Sequence, residues 1–192
     1  MEIFYNPKYA DRSRMQVFGA LTHGFDTVVL MRTQDTAPGG ILVDRRVVTV
    51  AAGPEAAFAA IRRIGGATGW YYADWLWRLR GAADRLVGGV GMRGRRDPDH
   101  VALGDVVDCW RVEDYEPGRR LRLALELRQP GQGWLEFEVA GNGAGSKVKL
   151  TASYDPGSWI GRLYWQLVSP VHNLMFRGML RGISAASDGR RR

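Results

Sequence analysis

Cysteine is almost absent. Cys109 stands alone among 192 residues, so no disulfide can close within the chain and no CxxC metal or redox motif exists. Histidine is nearly as scarce. His23, His100 and His172 lie far apart and never take a metal-ligand spacing such as HExxH, so no metal site is expected. Lysine occurs only as Lys8, Lys147 and Lys149, against 24 arginines. No run of about 18 uncharged apolar residues occurs, so no membrane-spanning helix is expected. The longest candidate, Leu163 to Phe176, contains Pro170 and His172. No secretory signal is visible either, since His23 and Asp26 interrupt the stretch from Met15 to Met31 and Asp11, Arg12 and Arg14 precede it. The expected compartment is the cytoplasm. No GxGxxG follows a strand, no GK[ST] ends the glycine-rich loop, and Ser158, Ser169 and Ser184 sit in no GxSxG. Phosphate-loop and serine-hydrolase chemistry are thereby excluded, and no cofactor is expected.

What is present is an ordinary globular composition, 45% hydrophobic, 24% charged and 10% aromatic. That fits one domain, at about 100–200 residues per domain. The net charge of +7 is uneven. Its excess lies around Arg93-Gly94-Arg95-Arg96 and in the segment after Pro156. A basic stripe can meet nucleic acid, anionic lipid or an acidic partner. A solvated surface is the preferred reading, with no nucleic-acid partner and a membrane surface the less favoured alternative.

Residues 1–40 have an irregular pattern ending in Thr36-Ala37-Pro38-Gly39-Gly40. They read as a poorly ordered extension, dispensable for folding, with Met15 or Met31 as alternative starts. The domain proper is expected over residues 41–187, with a basic tail over 188–192. Ile41 to Ala51 reads as a strand. Gly53-Pro54-Glu55 opens a helix, with Pro at its first position and an acid at its positive end. A second helix spans Ala73 to Leu86, with Trp75, Leu79, Ala82, Ala83 and Leu86 as its core face. An arginine-rich loop follows. The period then changes to two: Leu121, Leu123, Leu125 and Leu127; Leu135, Phe137 and Val139; Val148, Leu150 and Ala152. These strands make an antiparallel meander. Charge matching predicts Glu138 opposite Lys147 and Glu136 opposite Lys149. The strand from Gly104 to Tyr115 places Asp108 on the side of Trp110 and Val112, an edge position or a cavity-facing group. Ser158 to Ala186 reads as a long apolar helix that Pro170 should kink or divide.

Strand, two helices, meander and long final helix form an α+β order. It resembles the helix-grip fold of the START-like, or SRPBCC, superfamily, an antiparallel sheet wrapped on a long C-terminal helix. A narrower resemblance lies in the blocks Trp70 to Gly81, Asp84 to Gly91, Arg93 to Asp97, Gly104-Asp105, Trp110-Arg111-Val112, Trp134 to Phe137 and Gly161 through Met179. These resemble, in order, the family known as domain of unknown function 2867. The resemblance covers about residues 44–186. It implies the helix-grip fold and, as a possible partner, an NAD(P)-binding Rossmann protein, because members of the family occur alone or fused to such domains. It implies no chemistry.

A sheet gripping a helix leaves a concave space suited to an apolar or amphipathic small molecule. The candidate ligand-binding residues are Asp74, Trp75, Trp77 and Arg78 on the aromatic helix, Arg93, Arg95 and Arg96 at a cavity mouth, Asp108 and Trp110 on the strand, and His172 on the last helix. For each a plainer role exists: core aromatics, a surface Asp74–Arg78 pair, solvated arginines, and a core histidine. Three functions follow. The first is non-catalytic binding of a lipid-like molecule. The second is an enzyme of cyclase or dehydratase type with Asp74, Asp108 or His172 as acid–base groups. The third is a membrane-surface or partner-docking module using the basic C-terminal helix.

Overall fold

The computed structural model describes residues 14–17, 21–23, 26–28 and 31–189. Strands β1 (Arg14–Val17), β2 (Leu21–His23), β3 (Asp26–Val28), β4 (Met31–Ala37) and β5 (Ile41–Val50) come first. Helices α1 (Pro54–Arg62) and α2 (Asp74–Leu86) follow, then β6 (Val106–Val107), β7 (Trp110–Glu116), β8 (Arg120–Leu125), β9 (Gln132–Gly141), β10 (Ser146–Asp155) and α3 (Trp159–Ser187). Eight strands form one antiparallel sheet in the order β1-β4-β5-β10-β9-β8-β7-β6, while β2 and β3 pair apart. α3 lies across the sheet's inner face, giving the helix-grip arrangement. That face is built by alternation. Leu121, Leu123, Leu135, Phe137, Val148 and Leu150 are all buried to 1% exposure or less, a continuous layer that α1 and α3 cover.

Four expectations are corrected. The extension over residues 1–40 does not end where the sequence suggested, because Met31–Ala37 pairs with β5 from Met31↔Val47 to Ala37↔Ile41. The inward positions of this strand, Arg32, Gln34 and Thr36, are polar, so no hydrophobic alternation betrayed it. Residues 1–13 and the tail Arg190 to Arg192 lie outside the described residues.

The β9–β10 register is displaced by two residues. Glu138 faces Lys149, with a 2.6 Å ion pair, and Phe137 faces Leu150. The loop between Gly141 and Ser146 is longer than the charge matching assumed. A two-residue shift keeps every side chain on its face, so the core assignment survives.

α3 is one 29-residue helix. Pro170 does not divide it, since the bond it cannot make belongs to the carbonyl of exposed Gln166, where water can take its place. The Ser158 hydroxyl caps it, accepting from the Gly161 N–H at 3.4 Å.

The packed face of α2 is the opposite of the expected one. Trp77, Gly81 and Asp84 are buried, whereas Trp75 is 65%, Leu79 59% and Leu86 89% exposed. Trp77 stacks on Trp70 at 4.6 Å and meets Trp110 edge-on at 6.4 Å. The Asp84 carboxylate accepts from the backbone N–H groups of Gly91 (2.9 Å) and Arg128 (2.6 Å). One stack and two charge-assisted bonds outweigh the exposed stripe.

A candidate ligand groove beneath the C-terminal helix

The sequence-derived candidates separate into those the fold consumes and those left facing space. Asp74 accepts from the Trp70 N–H at 2.7 Å and forms no pair with Arg78, which is exposed and unpaired among the described residues. Trp75 points away from the sheet. Asp108, at a left-handed φ of 56° in the β6–β7 turn, is buried and accepts from Trp70 Nε1 (2.8 Å) and the Gly66 N–H (3.1 Å). It occupies the sheet edge and serves as an internal tie.

The arginine loop holds itself together. Arg95 donates to the carbonyls of Asp97 (2.6 Å), Arg62 (2.9 Å), Ile64 (2.7 Å) and His100 (2.9 Å). Arg93 pairs with Glu126 and donates to the Asp108 carbonyl at 3.1 Å. Arg96 pairs with Asp105 at 3.1 Å. The expected anion-attracting mouth is therefore a pinned loop whose guanidiniums already have partners. Trp77 and Trp110 are core aromatics, although the buried Trp110 Nε1 has no hydrogen-bond partner among the described residues.

His172 is different. Its ring stacks on Phe176 at 5.2 Å and meets Trp165 edge-on at 5.7 Å. Among the described residues Nδ1 is buried without a partner. Burial pulls its pKa down to about 4; Asp44 opposes the shift, while Arg46 and Arg80 add to it. Trp165 stacks its other neighbour, Tyr154, at 5.3 Å and 11°. Tyr154 is 2% exposed, and its hydroxyl also lacks a partner among the described residues. Burial raises its pKa to about 12, with Tyr164 and Asp155 contributing. One indole thus carries two neighbours with unsatisfied polar atoms, a rarity that calls for an explanation in a packed interior.

Around this unit sit groups that sequence reading missed. Asp44, buried on β5, accepts a bidentate pair of bonds from Arg46 on its two oxygens (3.0 and 2.8 Å), while Nε and Nη2 of Arg32 both donate to Oδ2 (3.2 and 2.9 Å). Arg46 also donates to the Asn173 carbonyl at 2.9 Å and lies 5.5 Å from the centre of the Phe176 ring. Two guanidiniums share one carboxylate, so the cluster keeps a positive charge. Arg80 of α2 donates to Tyr164 (3.2 Å) and Gln129 (3.3 Å), and Tyr164 donates to Gln129 at 3.1 Å. That junction ties α2, α3 and the β8–β9 loop together.

A groove of about 600 Å³ opens where α3 overhangs β4 and β5. Arg32, Gln34, Thr36 and Leu42 form its floor, and Trp165 and Ser169 its roof. The only sequence signals were the charged run Asp44-Arg45-Arg46 inside a valine-rich strand and Trp165, one of several aromatics on α3. Neither signal carries a motif. Among the described residues no group of three or more His, Cys, Asp or Glu could hold a metal ion, and no helix is long and apolar enough to cross a membrane.

The family described as Protein of unknown function (DUF2867) matches residues 36–179, a span running from the end of β4 to the last turns of α3. The chain belongs to this family. A search of the curated proteins finds no match. Among solved structures, CalU16 from Micromonospora echinospora is similar at 12% identity, over 86% of this chain and 78% of that one, with a TM-score of 0.49. The aromatase/cyclase Zhui from Streptomyces sp. R1128 is similar at 15% identity, over 79% and 96%, with a TM-score of 0.47. The di-domain aromatase/cyclase StfQ of the steffimycin biosynthetic pathway is similar at 12% identity, over 78% of this chain and 52% of that one, with a TM-score of 0.49.

Proposed function

We propose that this protein binds an amphipathic small molecule, acidic at its polar end, in the groove between the sheet and α3. The observation that carries the reading is the groove itself. It has the volume usual for small-molecule sites, a floor where Arg32 faces the groove with the buried Asp44–Arg46 pair behind it and Asp35 is held by Arg45, and an aromatic wall at Trp165. A carboxylate head suits the floor, because an arginine can offer it two-point contact. The apolar remainder suits Trp165, Leu42 and Pro170. Tyr154 and His172, behind the indole, supply neutral hydrogen-bonding atoms that a small shift of Trp165 would uncover.

Binding is favoured over acid–base catalysis by the same residues. A general acid or base works best with a pKa near the working pH. His172, near 4, and Tyr154, near 12, are displaced in opposite directions away from neutrality. Asp74 and Asp108 are occupied by backbone and indole donors.

The test fills the groove. Ser169, half-exposed on α3, is replaced by tryptophan, and decanoate binding is followed by calorimetry beside native mass spectrometry of protein purified without additives. Ser169→Trp is expected to weaken decanoate binding at least about tenfold, a cost of roughly 1.4 kcal/mol, and to abolish any retained small-molecule mass, with the melting temperature unchanged. Equal binding by both proteins, or no binding by the parent, would overturn the reading.

A further inference from the structure

A second surface lies uncovered. On the side of α3 facing away from the sheet, Ile160, Leu163, Leu167, Val171 and Leu174 are 43% to 70% exposed. They recur at three- and four-residue spacing over about 21 Å of helix. Trp159 opens this stripe at 73% exposure. α2 packs on the same face of the sheet, joined to α3 through Arg80 and Tyr164, and its own outward stripe begins with Trp75 and Leu79. Both stripes are thus exposed apolar faces on two helices that meet each other. Contiguous exposure of this kind marks an interaction surface.

Charge identifies the partner. From Trp159 to Ser187 α3 contains no Asp or Glu. Arg162 and Arg181 are exposed and, among the described residues, unpaired, as is Arg78 on α2. The acids of α2 are turned inward, Asp84 buried and Asp74 bonded to the Trp70 N–H. Asp155 and Asp188, flanking α3, are engaged by the N–H groups of Gly157 and Ala52. Arg162 reaches toward Gly40 in the turn between β4 and β5, whereas Arg181 and Arg78 border the stripes, so the side is apolar in the middle and positive at its margins. A second copy docking here would set arginine against arginine. An anionic bilayer instead takes the leucines among its acyl chains, the arginines at its phosphates and the two tryptophans at the headgroup level.

We propose that the outward faces of α2 and α3 dock this protein on an anionic lipid surface, lying in the interface without spanning it. The groove opens beside Pro170 on the same helix, so docking would bring its mouth close to the lipid. The proposal nevertheless stands on the exposed stripe and its charges, independently of what the groove binds.

Sedimentation with phosphatidylcholine vesicles containing about one third phosphatidylglycerol is the test, against vesicles of phosphatidylcholine alone. The parent is expected to sediment with the anionic vesicles only, and less at high salt. Leu163→Glu/Leu167→Glu alters two exposed positions. It should keep the parent's melting temperature and lose vesicle binding at least about tenfold. Arg78→Gln/Arg181→Gln should lose about fivefold per arginine. Failure of the parent to bind anionic vesicles would overturn the proposal. So would undiminished binding by the glutamate variant. Sedimentation equilibrium showing a dimer that the glutamate variant dissociates would assign the face to a second copy and overturn it equally.

Discussion

Packing against Trp165 and Phe176 keeps the His172 imidazole neutral through the physiological range, because charging it would place a cation among aromatic rings and beside Arg46 and Arg80. The folded value of about 4 lies below the ordinary 6.5. Between those values the unfolded chain binds the proton and the folded chain does not. Stability is therefore independent of this group above about pH 6.5, falls as pH drops toward 4, and is constant in its contribution below that. The expected loss is about 1–3 kcal/mol for a ring that still sees some water. Urea melts at pH 7 and 4.5 check it. The parent should lose more stability than His172→Phe, whose neutral ring keeps the packing; equal losses would show that the histidine already titrates freely. At this scale the sequence offered His172 only as one of three histidines. Tyr154, Arg32 and Trp165 were hidden because their importance comes from neighbours on other elements, which spacing within one segment does not record.

Helix α2 shows how an element can be found and still be turned the wrong way. Its period was legible, but it carries two stripes at helical spacing, and the larger apolar one faces outward. Trp77 and Asp84 decide the matter through Trp70, Gly91 and Arg128, contacts that cross between segments. Leu79→Glu should accordingly change stability by less than about 0.5 kcal/mol, whereas Trp77→Ala should cost about 3–5 kcal/mol. Chemical denaturation distinguishes this from the reverse order, which the apolar pattern alone would have given. α3 holds a comparable reversal at Gly178. Alanine normally stabilises a helix interior by about 1 kcal/mol over glycine. Here a Cβ would enter the ring of Tyr72, while Tyr71 lies over Gly182 and bonds the Ala60 carbonyl at 2.8 Å. Gly178→Ala should therefore destabilise, by about 1–3 kcal/mol. A rise in melting temperature would mean that Tyr72 does not rest in this notch.

For the molecule as a whole, the meander and the long helix were readable, because antiparallel strands with one wet face alternate strictly and α3 keeps an apolar spacing. The face α3 lays on the sheet was not: of the residues that carry that spacing, Ile160, Leu163, Leu167, Val171 and Leu174 face outward and only Met175 is buried. Nor was the strand β4. Its inward side chains are polar because they line an open groove rather than a core, so the hydrophobic alternation by which a strand is recognised is missing. Deleting residues 1–40 removes the seven residues of β4 and the Arg32 partner of Asp44. The expected result is a fall in stability of about 2 kcal/mol or more, and loss of decanoate binding together with the groove floor. A truncated protein that melts and binds like the parent would restore the first 40 residues to the dispensable extension their irregular pattern suggests.

The stacked pair Trp70 and Trp77, 4.6 Å apart and 25° from parallel, has an optical consequence. Indoles this close exchange excitation, and a skewed pair splits their shared absorption band into a circular-dichroism couplet of opposite signs. Trp77 comes from α2 and Trp70 from the loop before it, so the couplet reports whether α2 is seated, separately from how much helix the chain contains. A probe of local undocking is thus built into the chain without any label.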